Sequence, residues 1–340
     1  MVSEIKIELT EQGADRLWPE CRNVLRTTPS STTHHEQWGK RAPLGIYTVS
    51  LDTLPRRFHA VLDCLDELGT RELPPGPRFQ ALATRVLDSH QALMYALLEH
   101  LEDCANIARV FFPKDESTKK EPLLREILEQ LKPYRDTVDR IVNAMKHRQA
   151  RLGLFQATNS MVTLHGYSVQ GLIGPDLIGP DLTVHNKNSR GPKAFSFSSD
   201  LRKYFCTVYA VGHHLANFVK RVSHLKVNEP DCTSIDEVVG ATAPIELGTD
   251  VCTWSFEMAS RISKLLPFVY PDEARPPVAV VAAGGDTRSA SAGDRGRWIK
   301  IELSNSPSIG PLTFGQIPGG PFRLSATFQG DAVTRSFKVP

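Results

Sequence analysis

FQALATRVLDSHQALMYALLEHLEDCANIARVF, residues 79–111, is the stretch that decides the fold. Phe79, Leu82, Val86, Leu93, Leu97, Leu101, Ala108 and Phe111 keep one face apolar at helical spacing. Over about 33 residues, at about 1.5 Å each, that face runs some 50 Å. A helix so long needs partners along its whole length, so a helical bundle is the expected core.

The flanks supply the partners. Pro113 ends the helix, the charged run Lys114 to Glu121 makes a turn, and Pro122 suits the first position of the next helix. There Leu124, Ile127, Leu131, Tyr134, Val138, Ile141 and Met145 form a matching stripe, with a kink or restart expected at Pro133. The short connection makes the two an antiparallel hairpin. Upstream, Phe58, Val61, Leu62, Leu65 and Leu68 predict a short helix from about Pro55 to Leu68, stopped by Gly69 and the Pro74 to Pro77 breaker. Downstream, Leu201, Phe205, Val208, Leu215, Phe218 and Val222 predict another from about Ser199 to Val222.

Between the last two helices the pattern changes. Strand-like stretches at Met161–Val169, Leu182–His185 and Ala194–Phe197, separated by Gly and Pro, predict a β-excursion at about 154–197. Within it the Leu-Ile-Gly-Pro-Asp of 172–176 repeats at 177–181, which reads as a loop expansion, since a repeat architecture needs several units. At the N-terminus, Ile5, Ile7 and Leu9 alternate with Lys6 and Glu8 as one strand, followed by a helix around Ala14 to Leu25 and a polar loop to Arg41. Beyond the bundle come a short helix around Trp254 to Leu266, a Gly/Ser-rich linker from Gly284 to Gly296, and strands at Trp298–Leu303, Phe322–Phe328 and Ala332–Val339. The string Ile5-Lys6-Ile7-Glu8-Leu9 recurs at 299–303, reads as chance rather than duplication, and could place both copies in one terminal sheet.

The expected fold is therefore mainly α, an antiparallel helical bundle with a β-excursion before its last helix and a short β-rich C-terminal element, α+β overall. Residues 1–50 form an N-terminal strand, helix and loop, 51–230 the bundle, 231–283 a connecting helical segment, and 284–340 the linker and β-rich element.

Composition narrows the function. With 40 Lys+Arg against 38 Asp+Glu, the net charge of +2 sets up no overall field toward nucleic acid or membrane, so such a partner must be met by a local patch. No apolar run approaches the roughly 20 residues that span a bilayer, and Met1 to Thr10 lacks a signal peptide's apolar core, which predicts a cytoplasmic protein with no membrane partner. The cysteines, 21, 64, 104, 206, 232 and 252, have no Cys-x-x-Cys pair; reduced, mostly buried thiols are expected, with neither a structural metal nor a cofactor.

One constellation stands out on the helix after Pro133. At about 100° per residue, Arg140, Asn143 and His147 fall within roughly 60° of one another, nearly opposite Tyr134, Val138, Ile141, Val142 and Met145. Asp136 and Arg151 extend the polar line. Imidazole as general acid or base with guanidinium on a phosphate is a phosphodiester chemistry. The same residues also read as a solvated face on which Asp136 pairs with Arg140.

The hairpin of long helices, followed by Arg140-Ile141-Val142-Asn143-Ala144-Met145-Lys146-His147 and another amphipathic helix, resembles the HEPN superfamily of bacterial helical bundles over about residues 55–225. The family motif is an Arg, four to six residues and a His; here the gap is six. The chain departs from the family at Ile141, where a polar residue commonly follows the Arg, and in its β-excursion. The resemblance implies an RNA- or nucleotide-binding protein, a metal-independent ribonuclease of a defence or toxin system, and a homodimer. It makes Arg140 and His147 the catalytic pair and Asn143 a supporting group. A noncatalytic interaction protein and a small-ligand sensor with the β-excursion as lid are the rival readings.

Other histidines point elsewhere. His34 and His35 lie on a Ser/Thr-rich loop and are expected to be solvated. His213 and His214 point about 100° apart on their helix, which favours a packing or groove position over a shared metal. His165-Gly166-Tyr167 reads as a satisfied polar stretch of strand. Gly284-Gly285-Asp286 lacks the Lys-Ser/Thr of a phosphate loop.

Overall fold

The computed structural model describes residues 5–10, 18–70, 77–115, 117–158, 163–172, 178–185, 194–226, 254–265, 278–284, 298–304, 312–314, 324–330 and 333–338. The core is a bundle of four long helices, α2 (Pro43–Thr70), α3 (Pro77–Val110), α4 (Pro122–His147) and α5 (Phe197–Lys226). Each neighbouring pair runs antiparallel. Ser50 meets His100 while Glu67 meets Arg85; Glu102 meets Arg135 while Tyr95 lies under Lys146; Glu126 meets Arg221 while Tyr134 meets His214. Phe58 against Phe205 closes the ring between α2 and α5. The result is an up-down-up-down bundle. Its shared core includes Leu51, Phe58, Leu93, Leu97, Ile141 and Phe205.

Two helices differ from their sequence expectation because each runs through a proline expected to start or restart it. The helix expected to start at Pro55 begins at Pro43 and carries Pro55 inside. Proline leaves the carbonyl four residues back without a donor. Here the indole N–H of Trp254 donates to the Leu51 carbonyl at 3.1 Å and fills that gap. Helix α4 likewise runs from Pro122 through an exposed Pro133 to His147, without the expected restart. Just beyond its end, Gln149 holds a φ of 55° that reverses the chain so that the Ala150 N–H reaches the Ala144 carbonyl at 3.2 Å.

The segment expected to connect bundle and C-terminus is in part docked on the bundle. Helix α6 (Phe256–Lys264) starts at Ser255, whose side chain accepts from the Met258 N–H. Trp254, fully buried, packs on Phe58, Phe205 and Tyr209. Arg261 bonds Asp63 and Asp66 of α2, each at 2.7 Å. At the other end α1 (Glu20–Arg26) lies beside α5. Gly212 permits the approach, since a Cβ there would sit 3.0 Å from Pro19 Cβ and 3.1 Å from the Tyr47 hydroxyl.

The β-excursion opens earlier than expected. Strand β2 (Arg151–Thr158) pairs antiparallel with β3 (Thr163–Leu172), which also pairs with β4 (Ile178–Pro180) and β5 (Phe195–Ser196). Arg151, expected to extend the polar line of α4, therefore stands on a strand. Residues 182–185 form a turn, correcting the expected strand. The Asp181 carboxylate accepts from the Thr183 N–H at 2.8 Å, and His185 turns inward to accept from the Val169 N–H at 3.0 Å.

Strand β1 (Ile5–Thr10) pairs antiparallel with β7 (Trp298–Ser304), and β6 (Val278–Gly284) pairs on the other side of β7. The recurring string pairs with itself. Ile7 sits opposite Ile301, Lys6 opposite Glu302 and Glu8 opposite Lys300, so reversal sets unlike charges across from each other. A second antiparallel sheet has the order β10 (Val333–Lys338), β9 (Leu324–Gly330), β8 (Leu312–Phe314). The start of the helix expected from Ala14, residues 173–177 of the tandem copy, the linker after Gly284, and Cys232 and Cys252 lie outside the described residues. Among the described residues no helix is long and apolar enough to cross a membrane.

Candidate functional site

The C-terminal half of α4 positions the sequence-derived site residues. Val138, Ile141, Val142 and Ala144 are buried against the bundle, which turns the opposite side of the helix outward. Arg140 and His147 are exposed there, and Asn143 is half-buried between them. Asp136 pairs with Lys132 at 3.6 Å, not with Arg140. Among the described residues no hydrogen bond or ion pair engages Arg140, Asn143 or His147. The helix places Arg140 and His147 two turns apart, roughly 10 Å along the axis, with no contact between them.

Positive charge gathers at this end of the helix. Lys146 stands 5.2 Å over the Tyr95 ring, and Arg148 bonds Thr183 and lies 3.8 Å from Asp181. Arg151, at the head of β2, is exposed. Cations at a helix C-terminus also offset the partial negative charge of its last carbonyls.

A concave feature lies at the opposite end of α4. Between its first turns and the last turns of α5 runs a groove of about 410 Å³. Leu123, Ile127 and Phe218 supply apolar walls; Gln130, His214 and Asn217 supply neutral polar groups; Glu126, Lys220 and Arg221 stand among the lining residues. His214 thus occupies a groove, as its spacing implied, and its imidazole meets the Tyr134 hydroxyl at 3.3 Å. Burial, and then the neighbouring His213, push its pKa down. His213 faces Glu20 at 3.5 Å and Asn217 at 3.0 Å, and Glu20 also pairs with Lys220.

Two buried polar clusters escaped the sequence reading. At the junction of α3, β3 and α5, the Tyr167 hydroxyl donates to the Asp200 carboxyl at 2.5 Å, and His90 lies 3.6 Å from the same oxygen. The His90 ring is packed among Tyr167, Phe197 and Tyr204. Lys203 stands 3.9 Å from the other carboxyl oxygen. The cluster ties the β-excursion to the bundle, and its burial closes it to a substrate.

The second cluster joins α2 and α3. Ser50 Oγ lies 2.9 Å from His100 Nδ1, and Cys104 Sγ lies 3.7 Å from His100 Nε2. The residue types match a nucleophile and its base, but the electrostatics run the other way. Burial drives the His100 pKa down to about 4 and pushes the Cys104 thiol up, whereas an activated cysteine needs a lowered one. This cluster is structural. Both were legible in principle, since His90 and His100 interrupt the apolar stripe of α3 at core positions, beside Val86 and Leu93 or Leu97 and Leu101.

The remaining candidates resolve individually. His34 and His35 are half-buried rather than solvated, with His35 Nδ1 2.9 Å from the Thr33 hydroxyl. Burial lowers His165 to about 4, and Tyr167, one residue beyond Gly166, belongs to the Asp200 cluster. Cys21, Cys64, Cys104 and Cys206 are buried free thiols. Among the described residues no group of three or more His, Cys, Asp or Glu side chains is arranged to hold a metal ion. No family model matches the chain, and neither a curated protein nor a solved structure matches it.

Proposed function

We propose that the solvent face of α4 binds RNA or a nucleotide, and that a homodimer of the bundle cleaves RNA without a metal. The observation that carries this reading is that Arg140 and His147 stand exposed on a firmly packed helix with no partner among the described residues. A permanently charged guanidinium holds a phosphate but exchanges no proton, whereas an imidazole transfers one near neutral pH. The roles follow: Arg140 binds and neutralises the phosphate, His147 acts as general base or acid, and Asn143 supports the bound group. Lys146, Arg148 and Arg151 add positive charge beside them and supply the local patch that the near-zero net charge requires.

The spacing of the pair supports a dimer. One helix holds Arg140 and His147 two turns apart, so a single copy surrounds one phosphate poorly; a second α4 across a two-fold axis brings a further Arg and His. Cleavage then proceeds by attack of the ribose 2′-hydroxyl on the adjacent phosphorus. One imidazole takes the hydroxyl proton, the other protonates the departing 5′-oxygen, and a 2′,3′-cyclic phosphate remains.

Fluorescence anisotropy with labelled single-stranded RNA tests the binding half. Arg140→Ala is expected to weaken binding by about tenfold, in the range of one charge-assisted contact, and to make the affinity less dependent on salt. Equal affinity and equal salt slope in wild type and Arg140→Ala would remove the phosphate role.

A further inference from the structure

We infer that the groove between the first turns of α4 and the last turns of α5 is a binding site for a free amino acid with an apolar side chain. The inference is independent of the RNA reading, because the groove lies at the other end of α4 from Arg140 and His147.

The charges at the groove decide the class of ligand. Arg221 and Glu126 meet at 2.6 Å, and Lys220 pairs with Glu20 at the rim. Positive and negative groups are therefore present side by side and balance each other. A simple anion drawn to Arg221 or Lys220 meets Glu126 and Glu20; a simple cation meets the reverse. A zwitterion suits both at once, with its carboxylate on the Arg221 guanidinium and its ammonium on the Glu126 carboxylate.

Spare bonding capacity allows this. Among the described residues Arg221 gives only its Nη1 to Glu126, and Glu126 accepts from Arg221 and Gln130 through Oε1 alone, leaving Nη2 and Nε on one side and Oε2 on the other. The Arg221–Glu126 hydrogen bond keeps the Glu126 carboxyl below its ordinary range and Arg221 above its own. Both side chains are about half exposed, at 53% and 43%, and solvent-exposed ion pairs hold weakly enough for a ligand to re-partner them.

The rest of the groove selects the side chain. Half-buried Leu123 offers an apolar surface beside the charged pair, above the buried Ile127 and Phe218, and Gln130, Asn217 and His214 add no net charge. The volume, about 410 Å³, falls within the roughly 300–1,000 Å³ of small-molecule sites and holds an amino acid of leucine or phenylalanine size.

Isothermal titration of the full chain with L-leucine and L-phenylalanine tests the site. N-acetyl-leucine lacks the ammonium, leucinamide lacks the carboxylate, and glycine lacks the side chain. Saturable binding of leucine or phenylalanine is expected, at least about tenfold weaker for each of the three controls, since a lost charge-assisted bond is worth that factor. Glu126→Gln and Arg221→Gln, both at exposed positions and checked for fold by circular dichroism, are expected to weaken leucine binding by a similar factor. No saturable binding of either amino acid up to about 10 mM, well past a millimolar Kd, would overturn the proposal. Binding that the controls or the two variants retain undiminished would overturn it as well.

Discussion

His100 carries a measurable consequence of its burial. Buried neutral in the bundle, it has a pKa of about 4, against an ordinary 6.5, so below pH 6.5 the unfolded chain binds a proton that the folded chain refuses. Its contribution to stability is complete above pH 6.5 and is lost as the pH falls toward 4, on the order of 3 kcal/mol at the limit. His100→Gln removes the titration; the fall in Tm between pH 7 and pH 4.5 is expected to be shallower in the variant, and an unchanged slope would contradict this account. Gly212 makes a second residue-scale case. An added Cβ meets Pro19 at 3.0 Å and the Tyr47 hydroxyl at 3.1 Å, both in the packed contact of α1 and α2 on α5. Gly212→Ala is therefore expected to destabilise by about 1–3 kcal/mol, read as a lower midpoint in urea. Neither effect is local: His100 meets Ser50 of α2, and Gly212 meets Pro19 and Tyr47 from the N-terminal part of the chain.

Among the elements, α3 and α4 are readable because each carries a long apolar stripe, and the short charged link between them leaves only an antiparallel pairing. Helix α2 was cut short in the reading because Pro55 looks like a start signal. It is an interior residue here only because Trp254, about 200 residues later, bonds the carbonyl that Pro55 strands. Trp254→Phe keeps the ring packing but withdraws the donor. Leaving that buried carbonyl unpaired is expected to cost about 1–3 kcal/mol, measured by urea unfolding, and a loss near zero would mean that water takes the donor's place. The end of α4 gives the opposite sign. Gln149 holds a left-handed φ of 55° that glycine adopts without penalty, so Gln149→Gly is expected to stabilise by about 1 kcal/mol. The stretch Leu182-Thr183-Val184-His185 has a strand-like composition, but the Asp181 carboxylate accepts from the Thr183 N–H and closes a turn there, a contact that composition does not reveal.

At the scale of the whole molecule, a helical bundle with a β-excursion and β-rich terminal strands is legible from periodicity, and the recurring Ile-Lys-Ile-Glu-Leu string points to the one sheet in which its two copies pair, whereas the docking of Trp254 and α6 depends on long-range contacts. The candidate site divides in the same way. Helical spacing was enough to place Arg140, Asn143 and His147 on the outer side of α4, since burial of the opposite stripe dictates it. The groove at His214 and the clusters at His90 and His100 form only when separate helices meet. His147 is proposed to transfer a proton in RNA cleavage by a metal-independent dimer. The most direct measurement is RNA cleavage in excess chelator by wild type and His147→Ala, each confirmed to have the same thermal midpoint, because His147 is exposed and its truncation opens no cavity. The account predicts chelator-resistant cleavage by the wild type and none by His147→Ala; cleavage undiminished in the variant, or no cleavage by the wild type, would contradict it.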